Sequence, residues 1–249
     1  MKTNIVQIIE GLSPISLQEM DGVSLMKRTD TKFVIHENQL LSVLEIIKNE
    51  YKVLQINDDR IMTYSSLYFD TNSTKFYNDH HNGKIKRTKI RIRKYVESNI
   101  FFLEVKQKDG KGKTNKSRVP LEGFEPSLSE NSVKFIEKVT KTSFDLKPII
   151  WNRFNRITLV NNTAKERLTI DLNLSFKNEA NTKEYSKLVI IEVKQERFNR
   201  NSPIVTALRN HGVMPYSLSK YCIGMASLYK DLKYNNFKQK QLKINKITA

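Results

Sequence analysis

The sequence has little cysteine, glycine or proline, and it has no long apolar run. Cys222 is the only cysteine among 249 residues, which excludes a disulfide framework and a cysteine-based metal cluster. We expect it to be a small core residue rather than a nucleophile. Eight glycines and six prolines exclude a low-complexity chain. No apolar stretch approaches the ~20 residues of a membrane-spanning helix, and no signal-peptide pattern begins the chain. These absences predict a folded, cytoplasmic protein with no transmembrane segment of its own.

Acidic residues are also scarce. The chain has 26 Asp and Glu against 43 Lys and Arg, a formal net charge of +17. Such an excess predicts a polyanionic partner, which could be nucleic acid, polyphosphate, a nucleotide or an anionic membrane. A solvated, lysine-rich surface is the alternative, but it accounts poorly for arginines that recur at the period of a β-strand.

The stretch 85–95, IKRTKIRIRKY, shows this period most clearly. Alternation along a strand puts its cations on one face and Ile90 and Ile92 on the other. The cations of that face are Arg87, Lys89, Arg91 and Arg93. They need either water outside the sheet or a polar cavity inside a closed sheet, filled by an anion. The remaining strands favour the cavity.

About eight strands with alternating polar and apolar residues are separated by short turns and a few helices. The predicted strands are 28–35, 61–70, 85–95, 101–108, 116–120, 151–160, 167–176 and 187–195. The predicted helices are 4–11, 37–49, 129–139, 203–211 and 217–232. This pattern predicts an α+β fold, an antiparallel closed eight-stranded β-barrel with flanking helices. We expect a single domain over 1–249, with an N-terminal helix within 1–22 and a basic tail over 233–249 that is either frayed or helical.

Two local predictions depend on the assumed alternation, and a third concerns the histidines. In strand 151–160, Trp151, Arg153 and Asn155 are expected to share the polar face. In strand 167–176 the expected polar face consists of Arg167, Thr169, Asp171, Asn173 and Ser175. His80 and His81 are expected in a polar loop; with His36 and His211 they form no convincing metal-ligand spacing.

The apolar faces fit best against the helices, which turns the charged faces into the lumen. The cations expected there are Lys32, Arg91, Arg93, Lys106, Lys116, Arg153, Arg167 and Lys194. Two like charges ~6 Å apart repel by about 3 kcal/mol at an effective dielectric of 20, so the lumen favours a dense anion such as phosphate. The minority acids Glu104, Asp171 and Glu192 suit Mg²⁺ or Mn²⁺ shared with phosphate. Ion pairs with neighbouring lysines explain Glu104 and Glu192 equally well.

An ordered set of motifs resembles a known family. The motifs are RTDTK, RIRKY, FLEVKQK, NKSR, WNR, RLTID, IIEVK and SLSKY. In this order, from about Val23 to Tyr229, they resemble the VTC (vacuolar transporter chaperone) polyphosphate polymerase domain of the CYTH, or triphosphate tunnel metalloenzyme, superfamily. The chain resembles a stand-alone, bacterial-type domain. The resemblance implies an eight-stranded tunnel that binds ATP and a divalent metal, Mn²⁺ or Mg²⁺, and transfers the γ-phosphate of ATP onto polyphosphate.

The resemblance also implies roles for individual residues. Those implied to bind the phosphates are Lys32, Arg91, Arg93, Lys106, Lys116, Arg153, Arg167, Lys194, Ser219 and Lys220. Catalytic roles fall to Lys220, Arg91 and Arg93, and Glu192 becomes the metal ligand. Ser219 and Lys220 begin the last predicted helix, where free backbone N–H groups favour anions; an ordinary helix cap is the alternative for Ser219.

One departure from the superfamily bears on the reaction. Hydrolytic members begin with an ExExK strand, whereas this chain has Arg28, Asp30 and Lys32 at those positions. Loss of a carboxylate weakens a two-carboxylate metal site, so the sequence favours polyphosphate synthesis over triphosphatase or cyclase chemistry. The non-enzymatic alternative is a module that binds polyphosphate or RNA. We expect ATP and polyphosphate as partners and no nucleic acid, and a separate membrane partner is left open.

Overall fold

The structure, a computed structural model, describes residues 2–21, 28–111 and 113–249. Its helices are α1 (Lys2–Gly11), α2 (Leu17–Asp21), α3 (Glu37–Ile47), α4 (Lys75–His81), α5 (Glu130–Thr140), α6 (Pro203–Asn210), α7 (Lys220–Leu228) and α8 (Asn235–Thr248). Its strands are β1 (Pro14–Ile15), β2 (Thr29–His36), β3 (Tyr51–Leu54), β4 (Met62–Thr71), β5 (Arg87–Tyr95), β6 (Ile100–Lys108), β7 (Thr114–Leu121), β8 (Leu146–Asn161), β9 (Glu166–Lys177), β10 (Thr182–Tyr185) and β11 (Leu188–Gln195). The antiparallel sheet with flanking helices confirms the predicted α+β class.

Eight strands form one continuous antiparallel ladder in the order β2-β11-β9-β8-β4-β5-β6-β7. Three short strands extend it: β3 pairs with β8, β10 pairs with β9, and β1 pairs in parallel with β3. The ladder therefore has the number of strands that the alternation predicted.

The predicted closure into a barrel is wrong, because the sheet is strongly curled but open. Within the described residues, no backbone bonds pair β2 with β7. The edge of β2 is met instead by the chain before α7, where the Tyr216 N–H donates to the Lys32 carbonyl at 2.6 Å. The curl still brings opposite walls together, since burial and the nearby Lys32 ammonium lower the pKa of Lys106 on β6. Closure depends on the combined tilt and stagger of all strands, which local alternation does not specify.

The convex face of the sheet is apolar and is covered by helices, as predicted. On the side of β2, β9 and β11, α1, α3 and α6 pack against it, with Phe33 and Ile35 of β2 among the side chains that they bury. On the side of β4, β5 and β6, Ile90 and Ile92 lie in one core with Ile136 of α5. Burial of these apolar faces turns the alternate, charged positions to the concave face.

Helices α7 and α8 occupy one end of the concave face. The ring of Tyr221 stacks on Tyr68 of β4 at 5.1 Å. A Cβ added at Gly224 would lie only 2.5 Å from a ring carbon of Phe176 on β9, so α7 packs directly on the sheet. Ile244 of α8 belongs to the same core as Val34 of β2. The other half of the concave face carries the charged side chains, and we call it the charged cleft.

Strand β9 contains an irregularity that alternation does not reveal. Asn173 has a φ of +52°, and the register between β8 and β9 shifts beside it. Asp171 pairs with Arg156 in the charged cleft, whereas Ser175 pairs with Arg153 on the opposite face. The predicted polar face of β9 is therefore wrong beyond Asp171.

The segment around His80 and His81 is helical, so its prediction as a polar loop is wrong. Asp70 accepts hydrogen bonds from the N–H groups of Phe76 (2.8 Å) and Tyr77 (3.0 Å), which stabilises the start of α4. His81 is buried, and its Nε2 lies 2.8 Å from an oxygen of Asn235 at the start of α8. The two histidines therefore join helices rather than face solvent from a loop.

The basic C-terminal segment forms α8, which agrees with the helical alternative for the tail. One side of this helix packs against the rest of the protein, and its buried residues are Phe237 and Ile244. Lys243 lies 4.2 Å from the centre of the Tyr216 ring, a cation–π contact. None of the described helices is both long and apolar enough to cross a bilayer.

Candidate functional site

Three carboxylates organise the charged cleft, and each is bound by two cations. Glu104 lies on β6, Asp171 on β9 and Glu192 on β11. The pairs that bind them are Arg91 and Lys116, Arg156 and Lys220, and Lys32 and Lys194. Glu104 and Glu192 thus both form ion pairs with lysines, Lys116 in the first case and Lys32 and Lys194 in the second.

Glu104 is the centre of the first group. The Arg91 guanidinium donates to Glu104 Oε2 through Nε at 2.7 Å, with Nη2 at 2.6 Å, and Lys116 binds the other oxygen. Arg91 also donates to the Tyr68 hydroxyl at 2.9 Å. Burial raises the pKa of Glu104, but Arg91, Arg93 and Lys116 together hold it well below its ordinary value. Glu104 is therefore an anion that positions Arg91.

Asp171 is the centre of the second group. Arg156 grips it with two parallel hydrogen bonds, 2.6 Å from Nε and 2.8 Å from Nη2, and Lys220 of α7 binds the same carboxylate. Although burial raises the pKa of Asp171, Arg156 and Lys220 lower it to about 2. The first residue of α7 is thus fixed to the sheet by an ion pair inside the cleft.

Glu192 is the centre of the third group and is held less tightly on one side. Lys32 approaches it at 3.3 Å, and Lys194 forms a closer ion pair. Burial lowers the pKa of Lys194 to about 8, against the opposing effect of Glu192. The pKa of Glu192 lies well below its ordinary value because Lys194 and Lys32 outweigh its burial. The charge of the Lys194 ammonium is therefore sensitive to mildly alkaline pH.

Three further cations, Arg93, Lys106 and Arg167, lie on the concave face. Arg93 is buried, donates to the Ser66 hydroxyl at 3.1 Å and lies 5.2 Å from the Tyr64 ring centre. Within the described residues, neither Arg93 nor Lys106 lies within ion-pair distance of a carboxylate. Arg167 faces Lys194 across the β9–β11 ladder. The cleft therefore keeps a positive excess even after its own carboxylates are paired.

Ser219 caps α7. Its hydroxyl accepts from the Cys222 N–H at 3.3 Å and also receives a hydrogen bond from the Lys89 ammonium at 2.9 Å. The cap agrees with the helix-cap alternative, while Lys220 beside it reaches into the cleft. Cys222 is buried in α7, as expected of a core residue.

The placement of Arg153 in the lumen is wrong. Arg153 is exposed and pairs with Ser65 and Ser175 on the convex side of the sheet. Arg156 takes the position inside the cleft, with Phe154 beside it. The two arginines are three residues apart and therefore lie on opposite faces of one strand, so alternation alone allowed either assignment.

The register of β8 explains which arginine enters. Met62 pairs with Arg156 and Tyr64 with Phe154, so these residues share the concave face with Ser66. The rings of Tyr64 and Phe154 stack at 5.2 Å, and the Arg156 guanidinium lies 5.0 Å from the Tyr64 ring centre. Cation–π contact with a stacked aromatic pair holds Arg156 rigidly. The sequence contains one signal that Arg156 lies in the cleft. Phe154 and Arg156 are two residues apart, as are Tyr64 and Ser66, so each pair occupies one face of its strand.

A divalent metal fits the cleft only if it is coordinated jointly by protein carboxylates and by the phosphate oxygens of a bound substrate. Within the described residues, no three His, Cys, Asp or Glu side chains come together as a ligand set. Glu192 is the best single ligand, since Lys32 binds it loosely. Asp30 lies diagonally across from it, because Lys194 pairs with Asp30 and Glu192 with Lys32. Mg²⁺ and Mn²⁺ tolerate one or two protein carboxylates where phosphate oxygens and water complete the shell.

Comparison with known proteins identifies a family and a fold. A model of the VTC domain family matches residues 27–229, close to the span expected from the motifs, whose start at Val23 lies outside the described residues. No curated protein matches the chain. This match confirms the resemblance that the motifs suggested.

Two solved structures show the same fold. One is a candidate adenylyl cyclase from Hippeastrum with a dominant triphosphatase activity (TM-score 0.53, 13% identity, covering 81% of this chain and 96% of that chain). The other is a candidate adenylate cyclase from Bacillus halodurans (TM-score 0.50, 12% identity, covering 82% of this chain and 100% of that chain). At such identities the likeness establishes a common fold.

Proposed function

Because the chain belongs to the VTC domain family, we propose that it is an ATP–polyphosphate phosphotransferase that lengthens polyphosphate in the charged cleft. The observation that carries this proposal is the surplus of cations on one concave face. The cations of this face include Lys32, Arg91, Arg93, Lys106, Lys116, Arg156, Arg167, Lys194 and Lys220. Four carboxylates oppose them, those of Asp30, Glu104, Asp171 and Glu192, so a ligand with many negative charges is needed to balance the site.

The reaction needs little chemistry from side chains. A terminal oxygen of polyphosphate, or of inorganic phosphate at initiation, attacks the γ-phosphorus of ATP. The bond between that phosphorus and the β–γ bridging oxygen breaks, and ADP leaves with the electron pair. The attacking oxygen is already anionic, so no residue has to remove a proton. Arg91 and Arg93 neutralise charge on the transferred group, and Lys220 binds the acceptor chain.

A divalent metal, when bound, would be held by Glu192 together with phosphate oxygens and would neutralise charge on them. The residues of the protein orient the phosphates. Glu104 and Asp171 keep the side chains of Arg91 and Arg156 extended in the cleft, so that little order must be gained when phosphate binds.

Hydrolysis of a triphosphate in the same cleft is the alternative. It requires a carboxylate that can position water. Apart from Asp30, each of these cleft carboxylates is bound by two cations, and Asp30 is paired with Arg28 at 3.0 Å. The arrangement therefore favours transfer to a phosphate acceptor over transfer to water.

Incubation of the protein with ATP and Mn²⁺, followed by ³¹P NMR, tests the proposal. A growing signal of internal phosphates together with ADP supports polymerase activity, and an Arg91→Ala variant that remains folded should lose most of it. Orthophosphate and ADP without polymer would favour hydrolysis. Absence of turnover, with a large thermal stabilisation by tripolyphosphate, would point to a module that only binds polyanions.

A further inference from the structure

The end of the charged cleft that is remote from α7 carries aromatic rings. On β5, Lys89 donates to the Ser219 hydroxyl at the start of α7, at 2.9 Å. Tyr95 ends the same strand six residues later, about 20 Å away at the rise of a β-strand. On the neighbouring strand β6, Phe102 faces Arg93 across the ladder. Tyr95 and Phe102 thus lie together at this end of the cleft, and we call them the aromatic rim.

Both rings of the aromatic rim lie on the concave face. Alternation puts Tyr95 on the same side of β5 as Arg91 and Arg93, and Phe102 on the same side of β6 as Glu104. The two rings meet edge to face, with their centres 6.0 Å apart and their planes at 87°. Both side chains are half-buried, so the rim keeps part of its ring surface accessible to a ligand.

The position of Phe102 is not explained by the packing of the core. Its neighbours on β6, Phe101 and Leu103, are buried in an apolar cluster. Among the described residues, Phe102 itself belongs to none of the three apolar clusters of the protein. A phenyl ring that stays partly exposed on a charged face removes little apolar area from water. Its contribution to stability is therefore small, and a ligand is the better explanation of its place.

Arg118 of β7 shows what kind of ligand fits this ring. Its guanidinium carbon lies over the Phe102 ring, 4.5 Å from the ring centre. Arg118 stands opposite Glu104 on the ladder, yet it forms no ion pair in the part of the chain that the structure describes. The side chain is exposed and can move outward. A guanidinium and a nucleobase are both planar and both stack on aromatic faces, so the guanidinium marks a place where a base can lie.

We propose that the aromatic rim binds the base of the nucleotide, which stacks on Phe102 and is covered on its other face by the Arg118 guanidinium. Phe102 is level with Arg93, and Arg91 lies one pair closer to α7. A nucleotide bound in this way directs its phosphates along Arg93 toward Arg91. This inference rests on the proposed function in taking a nucleoside triphosphate as the phosphate donor, and it adds how the base is recognised.

The rim predicts selection by the size of the base rather than by its hydrogen-bonding groups. The backbone of β6 at Phe102 is paired with β5 on one side and with β7 on the other, so its N–H and C=O groups are directed along the ladder. Stacking accepts every base and becomes stronger with ring area, whereas strong rejection of a base requires fixed hydrogen-bond partners. We therefore expect ATP and GTP to bind within about threefold of each other, and CTP to bind several-fold more weakly.

Calorimetric titration in EDTA, which removes the divalent metal and so prevents turnover, tests the rim. Affinities for ATP, GTP, CTP and tripolyphosphate are measured for the wild type, for Phe102→Leu and for a control, Tyr234→Leu. Leucine keeps an apolar side chain but removes the stacking face. We expect about tenfold weaker binding of ATP and GTP by Phe102→Leu, and a change of less than about twofold for tripolyphosphate, which has no base. The control removes an exposed ring before α8 and should alter none of the four affinities.

Proton NMR supplies a readout that a structural role of Phe102 would not produce. A base stacked on a phenyl ring experiences its ring current, so the H2 and H8 signals of adenine should move upfield when ATP binds to the wild type. The shift should be lost with Phe102→Leu and kept with Tyr234→Leu. If urea unfolding shows that Phe102→Leu does not fold, the wild-type spectrum decides, because bound ATP without an upfield shift would overturn the proposal.

Three binding results would overturn it as well. Equal loss of affinity for ATP and tripolyphosphate would show that Phe102 acts through the phosphate site. Equal affinity of the wild type for CTP and ATP would contradict selection by ring size, and a difference of more than about tenfold between ATP and GTP would indicate fixed hydrogen bonds to the base. If the protein binds ATP as expected but forms no polyphosphate, the proposed function fails and the rim stands. If polyphosphate forms while Phe102→Leu binds ATP normally, the rim fails and the proposed function stands.

Discussion

At the scale of single residues, the two arginines of β8 show how much depends on which face a side chain occupies. Arg156 binds Asp171 with two hydrogen bonds inside the cleft, whereas Arg153 is exposed on the other face. Their chemistry is the same and their spacing is three residues. Only the pairing of β8 with β4 and β9 distinguishes them.

Alanine substitution of each of these two arginines tests which one binds phosphate, because the two variants lose the same charge from opposite faces of β8. Arg156→Ala should lower the affinity for tripolyphosphate at least tenfold, because it removes a guanidinium and leaves Asp171 paired with Lys220 alone. Arg153→Ala should change affinity by less than twofold, since its side chain lies outside the cleft. Isothermal titration measures both, with circular dichroism as the check of folding. Equal effects of the two substitutions would contradict the assignment of the concave face.

The lowered pKa of Lys194 predicts an unusual response to pH. Its folded-state pKa of about 8 lies below the ordinary 10.5, so between these values the unfolded chain binds a proton that the folded protein lacks. Stability contributed by this group therefore rises with pH across that window. Only the charged ammonium form of Lys194 attracts phosphate. The contribution of Lys194 to phosphate affinity therefore falls as the pH rises through the same window.

Comparison with Lys194→Gln isolates this effect from titration of the ligand. At pH 7 the wild type should bind tripolyphosphate about tenfold more tightly than the variant. By pH 9.5 the ratio should approach one, because the wild-type side chain is then neutral. A ratio that stays constant from pH 7 to pH 9.5 would show that Lys194 keeps its charge or makes no contact with phosphate.

At the scale of elements, α7 links the packing of the fold to the chemistry of the site. Gly224 allows the helix to lie against Phe176 and Ile150, where an added Cβ would come within 2.5 and 2.6 Å of their carbon atoms. The first residue of the same helix, Lys220, binds Asp171 in the cleft. Any shift of α7 away from the sheet must therefore move a cation of the site.

Gly224→Ala tests this coupling. Alanine favours a helix by up to ~1 kcal/mol over glycine, but overpacking costs about 1–3 kcal/mol, so we expect a net loss of stability and weaker binding of tripolyphosphate. Gly123→Ala is the control, because nothing lies within 4 Å of its added Cβ. Urea unfolding and titration measure the two effects. A Gly224→Ala protein with unchanged affinity would show that α7 positions Lys220 independently of its contact with the sheet.

At the scale of the whole molecule, the net charge of +17 is concentrated by the curl of the sheet. Strands β2, β11, β9, β8, β5, β6 and β7 all direct cations toward one space, and four carboxylates reduce the repulsion without removing it. Binding of a polyanion should therefore stabilise the folded state, which gathers these charges, and not the unfolded chain, which disperses them.

Thermal unfolding with tripolyphosphate measures this stabilisation. At a concentration of 100 times Kd, mass action contributes about 2.7 kcal/mol, which corresponds to roughly 5–10 °C in Tm for a domain of this size. Sodium chloride of equal ionic strength should give a much smaller shift. In the Arg91→Ala/Arg156→Ala variant, the Tm shift with tripolyphosphate should fall almost to the shift with sodium chloride. Equal shifts by chloride and tripolyphosphate would indicate screening of the net charge without a site.

Sequence patterns were enough to predict the α+β class, the number of strands in the main ladder, the family and most of the cations that face the cleft. Alternation along a strand and capping of a helix, as at Ser129 before α5, are local properties and can be read from neighbouring residues. The tertiary structure was needed to show that the sheet stays open, that Arg156 enters the cleft in place of Arg153, and that α7 and α8 cover the other end of the concave face. It was also needed to show that Lys89 faces Lys106 and Arg87 faces Lys108. These features depend on register between distant strands, where a shift of one residue exchanges the faces.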